Sequence, residues 1–154
     1  MKKETKNRIF ALFVLFMFVG SSAAFALMST FTPSSKPSVQ LAYDKPLTNE
    51  EEAQFFKENK IVLKSFTSDE CGKPCEDAAA LVSDLFQRMK GSMVVESINI
   101  NSYPDEAERY GVTTVPLFVF RGKTEKTLPG DSSYDDLVAT ACGLFFQENE
   151  VCIT

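Results

Sequence analysis

A chain of 154 residues, 44% of them hydrophobic, is sized for one globular domain with accessory segments. Its formal charge is −5, and Lys2, Lys3, Lys6 and Arg8 against Glu4 make residues 1–26 net +3, which leaves the remainder at −8. That acidity excludes nucleic acid as an expected partner, no Gly-rich phosphate loop is present, and the lack of histidine excludes hydrolase triads and zinc–histidine sites.

The chain begins basic and turns apolar at Ile9. Ile9–Val19 is uninterrupted, and Ala24-Phe25-Ala26 has the small-x-small form of a signal-peptidase site. A cleaved secretory peptide fits residues 1–28. An uncleaved transmembrane anchor fits too, because the apolar character runs on to Met28 for about 20 residues, and it is the reading preferred here. Either way the basic end stays in the cytoplasm. The domain is expected outside the cytoplasmic membrane, or secreted or periplasmic if the signal is cleaved, where disulfides persist. Residues 29–46 hold three prolines and several serines and read as an extended tether, with the folded domain over 47–154.

Within that domain Thr48 and Glu51 have capping-box spacing ahead of a short helix over "NEEEAQFFKEN". "KIVLKSFT" is a strand by its β-branched and aromatic content. From Cys75, Ala78, Ala79, Val82, Leu85, Phe86 and Met89 recur at steps of three and four, which describes one buried helix face ending at Gly91. "MVVESINI" is a second strand, and "YPDEAERYG" a short helical connection opened by Pro104. "VPLFVFRG" and "TEKTLPG" are strands joined by a turn at Gly122, and "DSSYDDLVATACGLFF" is a last helix capped at Asp131 or Ser132. Strands alternating with helices predict an α/β fold with a mixed sheet and helices on both faces.

Cys71 and Cys75 lie where a polar loop gives way to a helix. Positions four apart share a helix face, but a disulfide needs β-carbons about 3.5–4.5 Å apart. Cys71 is therefore expected just outside the first turn, with Pro74 inside it, where a missing N–H costs nothing. Three roles are open to the pair: exchange, metal and stapling. Two thiolates suit Cu(I), though no histidine is present as a third ligand, so no metal site is assigned. A permanent staple would close a very short loop and constrain little of the unfolded chain.

Three landmarks at the right separations carry a resemblance: Cys71-Gly72-Lys73-Pro74-Cys75 at a helix start, "YGVTTVPLFVF", and Gly130 before the last helix. Over residues 47–146 the chain resembles the thioredoxin family. The resemblance implies a thioredoxin fold, with a central mixed sheet of about four strands, and an extracytoplasmic thiol–disulfide oxidoreductase without cofactor. It implies that Pro116 is cis and faces the sulfurs, that Cys71 attacks and Cys75 resolves, and that Val115, Gly72, Lys73 and Pro74 border the substrate groove. Partners would be exported proteins with cysteines, a membrane redox protein that exchanges electrons, and the membrane itself through the N-terminal segment. Three departures stand out. The motif is one residue longer than the family's, Glu70 replaces the usual aromatic, and the family's buried aspartate and its lysine partner align with Ser65 and Ser97. They leave two alternatives open, a redox-inactive binding module and, less favoured, a Cu(I) delivery protein. Cys142 and Cys152 are expected to form a structural disulfide that ties down the C-terminus, with unpaired thiols and an electron relay as the lesser readings.

Overall fold

The runs around Leu63 and Val95 occupy the centre of a five-stranded sheet. The structure, a computed structural model, describes residues 42–153. Strands β1 (Ala42–Tyr43), β2 (Ile61–Thr67), β3 (Met93–Asn99), β4 (Leu117–Arg121) and β5 (Glu125–Pro129) lie in the order β1-β3-β2-β4-β5. β3 is parallel to both β1 and β2, whereas β4 is antiparallel to β2 and to β5. A parallel neighbour requires a crossover, which α2 (Lys73–Arg88) supplies between β2 and β3. The other helices are α1 (Asn49–Lys57), α3 (Pro104–Arg109) and α4 (Tyr134–Gly143), followed by a 3-10 turn at Glu150–Cys152.

Alternation along the strands sends side chains to two cores. Ile61, Leu63, Val95, Phe118 and Phe120 meet Ala78, Val82 and Leu85 of α2 and Leu137 and Ala141 of α4 on one face. Each fully buried Leu, Ile or Phe stabilises by about 1.5–3 kcal/mol relative to exposure. The opposite face carries Val62 and Val94 beneath Phe55 of α1, and Phe66, Ile98 and Val119 beside Tyr103 and Tyr110, which flank α3.

The mixed sheet with helices on both faces agrees with the expected architecture. Its fifth strand, β1, has two residues, too few for any alternation to register, and falls in the stretch read as tether. Ser133, rather than Asp131 or Ser132, caps α4, because Asp136 three residues on completes a reciprocal capping box. Ala79 is exposed, off the buried face of α2. The expected transmembrane helix is corrected: among the described residues no helix is long and apolar enough to cross a membrane. Residues 1–28, on which that expectation rested, lie outside the described residues.

Candidate functional site

β2 ends at Thr67, and a four-residue loop carries the chain to Gly72, the N-cap of α2. Cys71 thus precedes the helix and Cys75 lies in its first turn, joined to Cys71 by a disulfide with Cα atoms 5.7 Å apart. Gly72 adopts φ +59°, a conformation costly for other residues, and so fits one more residue between the two cysteines. Pro74 sits in the first turn, where no intrahelical donor is needed, and the Cys75 and Glu76 N–H groups donate to Gly72 O at 3.1 and 3.2 Å. Both cysteines are half-buried; Gly72, Lys73 and Pro74 between them are exposed. The disulfide therefore stands at the protein surface.

The charges around it are acidic. Asp69, Glu70, Glu76 and Asp77 are exposed, and Lys73, the cation within the motif, pairs with Asp77 at 3.0 Å. Asp69 also accepts a hydrogen bond from Asn99 Nδ2 at 2.6 Å. Asn99, which the sequence analysis did not single out, thus fastens the loop before Cys71 to the end of β3. A polar residue closing an apolar strand was its one sequence signal.

The Val115–Pro116 peptide bond is cis. Leu117 pairs with Phe66, so these two residues lie at the end of β2 from which the loop to Cys71 departs. The Val115 side chain packs against the cluster of Phe66, Ile98 and Val119. Neither backbone group of Val115 is hydrogen-bonded among the described residues. Gly130 N–H donates to Pro116 O at 2.9 Å, and a Cβ on Gly130 would run into the Pro116 ring. This close approach explains the glycine landmark. Ser65 is buried and paired in register with Ser97, so no ionisable group stands at either position.

Cys142 and Cys152 form a second disulfide, with Cα atoms 5.6 Å apart. It is remote from the first. Leu144, just past α4, accepts from Lys123 N–H at 2.9 Å beside the β4–β5 turn, at the far end of that hairpin from Pro116 and Gly130. A direct relay between the pairs has no geometric basis.

A family profile described as thioredoxin matches residues 45–142. The thioredoxin of Synechocystis sp. is 33% identical over 73 residues, covering 44% of this chain and 67% of that protein. Thioredoxin-1 of Drosophila yakuba is 32% identical over 63 residues, covering 41% of this chain and 58% of that protein. The chain therefore matches little more than half the length of the Drosophila relative. Among solved structures, a mutant thioredoxin from Halobacterium salinarum superposes with a TM-score of 0.56 at 23% identity, covering 70% of this chain and 93% of that one, a likeness of fold.

Proposed function

The chain belongs to the thioredoxin family, and on that premise we propose that it exchanges disulfides with exported, cysteine-bearing proteins through Cys71 and Cys75. The observation that carries this reading is a surface disulfide at the start of α2, near a cis-proline whose preceding residue has a backbone unpaired among the described residues. In the reduced protein the Cys71 thiolate bonds to one sulfur of a substrate disulfide and expels the other as a thiolate. Cys75 then attacks the Cys71 sulfur and releases the substrate's second sulfur. The Cys71–Cys75 disulfide closes, two electrons pass to the substrate, and the protein is left in the oxidised form seen here. Val115 N–H and C=O pair with the substrate backbone, while Gly72, Lys73 and Pro74 border the groove.

Local charge sets the direction. Unpaired N–H groups at the start of α2 favour a thiolate, but the acidic neighbours oppose it, and Lys73 is committed to Asp77. A less stabilised thiolate leaves the disulfide harder to reduce, so the pair belongs toward the reducing end of the scale. The same charges favour basic or neutral substrate segments over acidic ones. The signal-like pattern of residues 1–26 and the two disulfides support an extracytoplasmic setting.

The test is equilibration of the protein across glutathione and dithiothreitol ratios, with alkylated thiols located by peptide mass spectrometry. Reversible opening of Cys71–Cys75 at a reducing potential is the expected result. A pair that never opens under native conditions would sink the exchange mechanism and leave a binding module.

A further inference from the structure

The sheet face that carries α1 and α3 is charged at its centre. Its apolar residues form two separate clusters, one around Val62 and Val94 and the other around Phe66, Ile98 and Val119. Between them, in register on β2 and β3, stand Lys64 and Glu96, both fully buried. Lys64 Nζ lies 2.8 Å from Glu96 Oε2, 2.9 Å from Glu52 Oε1 of α1, and 3.3 Å from Glu106 Oε1 of α3. Arg121 of β4 pairs with Glu52 Oε2 and donates to the Tyr110 hydroxyl at 3.2 Å. At the surface Arg109 approaches Glu106, and Glu125 of β5 approaches Arg121, both at 3.6 Å. Tyr43 of β1 pairs with Glu96 in register.

Two counts disagree with full ionisation. Three carboxylates share the Lys64 ammonium, and of these Glu52 also has Arg121 and Glu106 also has Arg109, whereas Glu96 has no second cation among the described residues. Glu96 Oε1, moreover, is buried with no hydrogen-bond partner among the described residues, whereas Glu52 Oε1 has the Lys64 ammonium 2.9 Å away. Both defects are costly in a low-dielectric interior, where unpaired acceptors and unmatched charge lack water.

A proton on Glu96 relieves both. We propose that Glu96 carries a proton in the folded protein, so that this buried cluster acts as a proton-binding site. The assignment to Glu96 follows from its partners. Glu52 faces the permanently charged Arg121 as well as Lys64, whereas among the described residues Glu96 has the ammonium and the Leu47 N–H, both on Oε2. Burial also pushes the Glu96 carboxyl above the ordinary glutamate range, despite the opposing pull of Lys64 and Leu47 N–H.

The consequence is a stability that depends on pH. The unfolded chain releases this proton at the ordinary glutamate value and the folded chain at a higher one. Stability is thus fully present below the ordinary value and is lost as pH rises through the raised one.

Infrared spectroscopy of the intact oxidised protein at neutral pH tests this independently of any redox activity. The expected result is a protonated-carboxyl carbonyl band worth one group, absent from Glu96→Gln, whose thermal midpoint stays flat over the pH range where the parent's declines. No such band in the parent overturns the proposal, because Glu96 Oε1 would then be served by buried water or a cation. A band that persists in Glu96→Gln also overturns it, by placing the proton elsewhere. The parent spectrum decides the matter even where the variant folds poorly.

Discussion

Gly72 combines φ +59° with ψ −136°, and a Cβ built on it would meet nothing within 4 Å. The cost of a side chain there is conformational alone, so Gly72→Ala should lose about 1–3 kcal/mol in urea denaturation of the oxidised protein. Gly130 presents the opposite case. Its Cβ would strike the ring and carbonyl of Pro116, and a backbone contact cannot swing aside as a flexible side chain would. Gly130→Ala should also cost about 1–3 kcal/mol, through overpacking. It should in addition slow reduction of a model disulfide, because the shifted residue is Pro116; a rate equal to the parent's would detach Pro116 from the exchange step. Gly72 was legible in the sequence as part of the motif, but its backbone angle was not. Gly130 was legible only as a landmark, since nothing in a linear sequence shows that Pro116 lies against it.

Among the elements, α1 and α4 both begin with reciprocal capping boxes, Thr48 with Glu51 and Ser133 with Asp136. At α1 the backbone N–H of Thr48 donates to Glu51 Oε2 at 2.7 Å and the Thr48 hydroxyl donates to the same oxygen at 2.9 Å. Those bonds, the backbone one foremost, hold the Glu51 carboxyl below the usual glutamate range. Its contribution to stability is present above the unfolded value and is lost as pH falls through the lowered one. Glu51→Gln should therefore lower the thermal midpoint slightly at neutral pH and flatten its decline on the acid side; an unchanged acid slope would show that the cap does not feel protonation. The Thr48 box was readable because Glu stands in the usual third position. The α4 box uses Asp there, which left three polar residues in a row with no sequence reason to prefer Ser133. Helix α2 was readable from Ala78, Val82, Leu85 and Met89, all buried.

At the scale of the whole molecule, the order of strands and helices was enough to infer a mixed sheet, because periodicity and turn residues are local properties. The buried charge cluster was not legible. Lys64 and Glu96 sit in apolar runs where a solvated charge is the ordinary expectation, and only the β2–β3 register and the helices above bring Glu52 and Glu106 to them. The relation between the two disulfides was hidden for the same reason. Cys142–Cys152 closes a loop of sequence separation 10, which by loop-closure entropy stabilises by about 2–3 kcal/mol. It sits beside the β4–β5 turn, whereas Cys71 lies near the other end of that hairpin, with the α2–α4 core between them. Replacing Cys142 and Cys152 together by serine should therefore lower the urea midpoint in proportion to that loss, while the redox midpoint of Cys71–Cys75 stays where it is in the parent. A shift of that midpoint in the folded variant would mean that the tail and the surface disulfide are coupled through α2. The C-terminal disulfide would then be part of the redox machinery rather than a fastening for the end of the chain.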